Sequence, residues 1–379
     1  MLDPMFDSAD YALRWPAGIF TRELAALRSL ARGTAEDDGR IEFLLDEAFV
    51  GDAGTARYRA LRARKPVLDD PWGDRDQELT GDPEARFLDD LVAAVPLLRL
   101  APEPRPYWPD RHGRGRDRLD QPVLRRRFAQ LVGELRRLGH FGDELPEECV
   151  DGFPPEGEVL LTERLGISGL WPLQPEQWDT DTFFGLIEVF HDLSVRPRER
   201  WYHQYDGCGW HYSSFGHDTG HALYRWRVNR LLDTSGVGLR LAEDGEDTGR
   251  LIQVTDPGRS DLIRRVSTTP DPMVAERIDH AIALFRGRAA TEHDKRSAVI
   301  TLAGALEERR DLIRTDIGRK DEGVLFSLAN EFAIRHQRRG QQGDYDPAFL
   351  DWIFWWYLAT IELTDRLLAR DSLHPAPRS

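Results

Sequence analysis

Apolar residues recur at helical spacing along most of this chain and alternate at strand spacing in only a few places. Leu24, Leu27 and Leu30 share one face of a segment from Arg22 to Ala31. Val123 to Leu138 places Leu124, Phe128, Leu131, Leu135 and Leu138 on one side, with Gly139 as a stop. Asp179 to Asp192 turns Phe183, Leu186, Ile187 and Phe190 inward, and Ala222 to Leu232 returns to helix. Strand-like stretches are Trp210 to Phe215, and Val237 to Ala242 with Arg250 to Val254 around Asp244-Gly245, which predicts a small hairpin.

The C-terminal pattern is the most regular. Pro272 opens a helix with Ile278, Ile282 and Phe285 inward. Thr291 caps a second, which runs to about Arg314 with Leu302, Leu306 and Ile313 inward. A third spans about Asp321 to Gln337, with Leu325, Leu328, Ala329 and Phe332 inward. A fourth starts at Asp346-Pro347 and carries Leu350, Phe354, Tyr357, Ile361 and Leu368 to about Arg370. Four amphipathic helices on short loops predict an antiparallel four-helix bundle. Elsewhere the pattern breaks. Glu36-Asp37-Asp38 reads as an acidic loop, and residues 66–122 are mostly loop chemistry around one helix near Pro83 to Leu98. The expected fold is mainly α, α+β overall. It has a loop-rich N-terminal region at 1–122, a mixed His- and aromatic-rich middle domain with a small β-hairpin at 123–257, and the bundle at 270–371.

Composition narrows the class. The 379 residues are 40% hydrophobic and 31% charged, which suits a folded globular protein. Two cysteines, Cys149 and Cys208, exclude a disulfide framework. No apolar run reaches the length of a membrane span, and the N-terminus lacks a signal pattern, so a cytoplasmic protein is expected. The net charge of -15 excludes generic coating of nucleic acid and leaves room for one local basic site. No phosphate-binding P-loop, dinucleotide fingerprint, nucleophile elbow or His-Glu-x-x-His motif is present.

One candidate site closes the third bundle helix, in the segment Asn330 to Gln341. Arg335 and His336 fall at the edge of its apolar face. A histidine can move the 2′-hydroxyl proton of RNA near neutral pH, and an arginine can stabilise charge on the phosphate, with no metal required. The bland alternative pairs Arg335 with Glu331 and packs His336 at the helix end. Arg309-Arg310, Arg314, Arg319-Lys320 and Arg338-Arg339 would form a basic rim if they converged.

Leu325 to His336, followed by Gln341 and Asp344-Tyr345-Asp346, resembles the HEPN superfamily of prokaryotic RNases, in particular the C-terminal module of abortive-infection proteins of the AbiJ type. The resemblance covers about residues 270–370. It implies a bacterial defence or toxin-type protein with an endoribonuclease effector, RNA as partner, and a homodimer. Arg335 matches the motif arginine and His336 its polar position, with Asn330 and Gln341 orienting substrate. The motif's later histidine is absent, with Gly340, Gln341 and Gln342 in its place. Either His336 takes that role, or the bundle is a non-catalytic interaction and dimerisation module.

A second candidate lies in the middle. His191, His203, His211, His217 and His221 surround Cys208, and five of the eleven histidines fall in this stretch. His203, Cys208 and His211 have residue types and spacing that suit structural zinc. The other interpretation is an aromatic junction in which these histidines only hydrogen-bond. His191-Asp192 and His217-Asp218 are also dipeptides of the kind found in HD-type phosphohydrolases, without the remaining residues in order. Apart from this zinc, no cofactor is expected.

Overall fold

The computed structural model describes residues 6–30, 35–63, 82–101, 108, 118–147, 149, 156–205, 208–316, 318, 322–327 and 346–373. The protein is mainly helical, with two antiparallel two-stranded sheets among the described residues. It divides into two compact units, Met1–Gly236 and Val237–Ser379. The division falls inside the 123–257 range that the sequence pattern treats as one middle domain. Among the described residues no helix is long and apolar enough to cross a membrane.

The N-terminal unit contains α1 (Ala17–Leu30), α2 (Ala35–Ala48), α3 (Ala53–Arg62), α4 (Pro83–Ala94), α5 (Gln121–Arg137), α6 (Gly157–Leu165), α7 (Thr180–Asp192), the strands β1 (Arg196–His203) and β2 (Gly209–Gly216), and α8 (His217–Asp233). Capping residues set several boundaries. The carboxylates of Asp82, Asp120 and Asp179 each accept from a backbone N–H in the first turn of α4, α5 and α7. Gly139 ends α5 at φ +78, where its N–H donates to Arg136 O at 2.9 Å. Glu36, Asp37 and Asp38 do not form the expected loop. They occupy the first turn of α2, where the helix dipole favours negative charge.

One core joins Phe20, Leu24, Leu44, Phe49 and Leu91 to Ala222 and Leu223 of α8. Phe128, Phe141, Phe183, Phe190 and Tyr224 bring α5, α7 and α8 together through edge-to-face and tilted ring contacts. The expected strand at 210–215 is β2. Its partner β1 begins Arg-Pro-Arg-Glu-Arg, which lacks the apolar alternation that marks a strand. Contrary to expectation, α8 begins at His217 and runs through Gly220. A side chain at Gly220 would collide with the backbone of Val195 and Arg196, so glycine is what lets α8 approach the start of β1.

A buried ion network anchors β1 at that point. Arg196 and Glu23 are both fully buried. Arg196 donates to Glu23 Oε1 at 3.1 Å and to Glu47 Oε2 at 2.8 Å. Arg198 adds 2.8 Å to Glu23 Oε1, and Thr219 Oγ1 donates to Glu23 Oε2. Burial alone would raise the Glu23 pKa, but the two arginines and Thr219 outweigh it and hold the carboxyl below its usual range. The base of the β1–β2 hairpin is thereby fixed to α1, α2 and α8.

The C-terminal unit contains β3 (Leu239–Leu241), β4 (Leu251–Gln253), α9 (Pro257–Val266), α10 (Pro272–Arg286), α11 (Glu292–Glu308), α12 (Arg310–Asp316), helical residues 322–327, and α13 (Ala348–Leu373). β3 and β4 form the expected hairpin. Val266, Ile278, Leu302, Leu306, Phe354, Tyr357 and Ile361 share one core. Thr291 and Asp294 form a capping box at the start of α11. The second helix of this region ends at Glu308, short of Arg314. Arg309 turns inward there, donating to Thr364 Oγ1 at 2.7 Å and pairing with Asp365 at 2.8 Å. Arg309 is therefore a core cation and Arg310 pairs with Glu322, so neither is free for a basic rim. Leu30, Leu138 and Leu368 are exposed rather than inward. All three sit at a helix end, where burial depends on whether a neighbour reaches that far, and periodicity does not encode this.

Candidate metal centre

Strand pairing builds the site. β1 and β2 run antiparallel with Trp201 opposite His211 and His203 opposite Gly209. Side chains alternate between faces, so Trp201, His203 and His211 lie on the same face. The chain turns tightly before β2, where the Cys208 N–H donates to Tyr205 O at 3.1 Å and Gly209 takes φ +85. That turn brings Cys208 beside His203. Cys149, from the segment between α5 and α6, completes the group.

The ligand atoms of Cys149, His203, Cys208 and His211 all lie within 4.8 Å of one another. Cys149 Sγ is 3.7 Å from His203 Nδ1 and 3.9 Å from Cys208 Sγ. For zinc bonds of about 2.3 Å to sulfur and about 2.0 Å to nitrogen, a tetrahedron has edges of roughly 3.8 Å between sulfurs and 3.5 Å between sulfur and nitrogen. The two distances from Cys149 Sγ match those edges. The two sulfurs are too far apart for a disulfide, and neither cysteine is in one. His211 Nε2 is buried and has no hydrogen-bond partner, and metal coordination is one way to satisfy such a nitrogen. Neighbouring rings orient the imidazoles. Trp201 stacks on His211 with centroids 4.5 Å apart, and Tyr205 stacks on His203 at 6.2 Å. Trp201, Tyr202, Tyr205 and Trp210 remain exposed around this hairpin tip.

The structure thus brings together the three residues singled out by sequence, His203, Cys208 and His211. It adds Cys149, which lies 54 positions before His203. Local spacing could not reveal it, although a chain with only two cysteines offers one pairing to test. Among the described residues this is the one such group of Cys, His, Asp and Glu side chains. The other candidate residues, Asn330, Arg335, His336 and Gln341, lie outside the described residues.

The remaining histidines of the middle region do different work. His191 and His221 stack with ring centroids 4.7 Å apart. Arg225 donates to His191 Nε2 at 2.9 Å, so the ring proton sits on Nδ1, 3.1 Å from Asp192 Oδ1. That is a neutral imidazole with both nitrogens in use. Burial lowers its pKa to about 4, despite the opposing Asp192. His140 is likewise buried, at 3.0 Å from Val195 O, and burial lowers its pKa to about 4.

This predicts an acid sensitivity. Between pH 6.5 and 4 the unfolded chain binds protons at these histidines and the folded chain does not, so stability falls as pH falls. At pH 5 each histidine removes about 2 kcal/mol relative to pH 7.5. Urea unfolding at pH 7.5 and 5 should show His140→Asn losing less stability than wild type over this interval. Equal losses would refute the assignment.

Comparison with family models, curated proteins and solved structures finds no match to this chain.

Proposed function

We propose that the N-terminal unit is a zinc-stapled module and that Cys149, His203, Cys208 and His211 hold one structural Zn²⁺. The observation that carries this reading is the approach of four soft and borderline ligand atoms to within 4.8 Å of one another. Four protein ligands close the coordination sphere and leave no open position for a substrate, so the metal's role is to fix the hairpin tip to the segment after α5. The zinc would secure the end of the hairpin opposite the Arg196 network. On this reading the N-terminal unit acts as an interaction or scaffold module rather than as a metal-dependent hydrolase. The test is metal analysis of protein purified without chelator. About one zinc per chain is expected, and less than about 0.2 would remove the reading.

A second reading concerns the C-terminal unit, where α10, α11 and α13 share a helical core of the kind the HEPN resemblance implies. In this reading the unit is a metal-independent endoribonuclease of a defence system and acts on RNA as a homodimer. Arg335 stabilises the phosphate, His336 moves the proton, and Asn330 and Gln341 position the substrate. Its alternative is a non-catalytic dimerisation module. An RNA cleavage assay with wild type, Arg335→Ala and His336→Ala decides between them. The RNase reading expects both variants to lose at least about a hundredfold in rate, and equal activity in all three would remove it.

A further inference from the structure

The C-terminal unit contains a cavity of about 300 Å³ between the β3–β4 hairpin, α9 and α10. This is the lower end of the range for small-molecule sites. Ile252, Ile263 and Ile282 give it an apolar wall, and Arg240, Arg264 and Arg286 line it as cations. Glu243, Asp244, Asp247 and Asp279 line it as carboxylates, of which Glu243 pairs with Arg240 and Asp279 accepts from Ser267. The walls are tied together beside it, since Arg288 N–H donates to Leu251 O and Ile252 bridges to Gly287. The end of α10 is therefore held against β4.

Arg286 is the unusual residue. Of the buried arginines, Arg196 is matched to Glu23 and Glu47 and Arg309 to Asp365, while Arg225 donates to His191. Arg286 is half-buried, yet among the described residues it makes no ion pair. Its one hydrogen bond is long, 3.4 Å from Nη2 to Gln253 O, and its Nε is buried with no partner. Burial, and then the Arg240 guanidinium, push its pKa down from the usual arginine value. Asp244 and Asp247 act on it without pairing, and burial raises the Asp247 pKa. Arg240 pairs with Glu243 at the rim. A guanidinium held out of water with unfilled donors, beside a second guanidinium and next to a small apolar wall, is electrostatically incomplete. An oxyanion accepting from Nε and Nη in the fork arrangement would complete it.

We propose that this cavity is a binding site for a small ligand with one carboxylate or phosphate group. The oxyanion sits on Arg286, with Arg240 beside it, and a short apolar body lies against Ile252, Ile263 and Ile282. The site is independent of the zinc centre and of any RNase activity.

The test is calorimetric titration of the full-length protein with two probes, inorganic phosphate and isovalerate, in buffers matched for ionic strength with sodium chloride. Saturable binding of at least one probe below about 10 mM is expected. If phosphate alone binds, the ligand is a phosphate compound; if isovalerate binds more tightly, it is a carboxylate with an apolar body. Arg286→Met should weaken binding at least about tenfold while leaving the unliganded protein as stable as wild type or more so, because an unpaired buried charge is removed. Ile282→Trp, which fills the cavity, should block binding with Arg286 still present. The proposal is overturned if neither probe binds, if Arg286→Met binds as tightly as wild type, or if Arg286→Met lowers stability in the absence of probe. Should Arg286→Met fail to fold, Arg286 is structural and the proposal falls with it.

Discussion

Cys149→Ser protein is expected to purify with less than about 0.2 zinc per chain and to unfold its N-terminal unit about 10 °C below wild type. The magnitude follows from the arrangement. Cys149 lies 3.7 Å from His203 Nδ1 and 3.9 Å from Cys208 Sγ, and in a four-ligand site the loss of one thiolate opens the tetrahedron. For a unit of this size about 3 kcal/mol corresponds to roughly 10 °C. Calorimetry with and without EDTA provides the control. Chelator should lower the wild-type transition to that of the variant and leave the variant unmoved, because both remove the same interaction. A wild-type transition indifferent to EDTA, together with an unchanged Cys149→Ser melt, would sink the zinc staple. The C-terminal transition should stay where it is in both proteins.

Arg196→Met carries the second large effect, a loss of about 3–5 kcal/mol in urea unfolding of the N-terminal unit. Methionine preserves most of the volume, so the loss comes from the partners left behind. Glu23 is fully buried and retains only Arg198 and Thr219, and Glu47 loses both of its hydrogen bonds from Arg196. Burial already raises the Glu47 pKa, with Arg196 opposing it, so the variant should raise it further. Removing the orphaned charges as well, in Glu23→Gln/Glu47→Gln/Arg196→Met, should recover more than half of the loss. If the triple variant is no more stable than Arg196→Met, the arginine's stacking on Trp15 and Phe43 matters more than its charge.

Much of the helical framework was legible because its signals are local. Asp179, Thr291 and Pro272 sit where caps and first-turn residues belong, and the helices begin there. Phe183, Ile187 and Phe190 recur at helical spacing and are buried together. Local chemistry misled where one residue type suits two settings. The acidic run Glu36-Asp37-Asp38 serves a loop or a helix start equally well, and the N-terminal dipole favours the latter. Gly220 reads as a helix breaker, yet it is in the helix because the Val195 backbone leaves no room for a side chain.

By itself the sequence determined the mainly helical class, the two hairpins' strands at 210–215 and around Asp244-Gly245, and three of the four clustered ligands, since each rests on residues within one or two turns of each other. The tertiary structure alone decided that Cys149 joins His203, Cys208 and His211, that Arg196 finds Glu23 across the unit, and that Arg286 faces a cavity without a counter-ion. Those outcomes depend on which distant segments the apolar faces bring into contact. Burial then converts that contact into chemistry, because a thiol, a guanidinium or an imidazole removed from water must find a partner from wherever the fold delivers one.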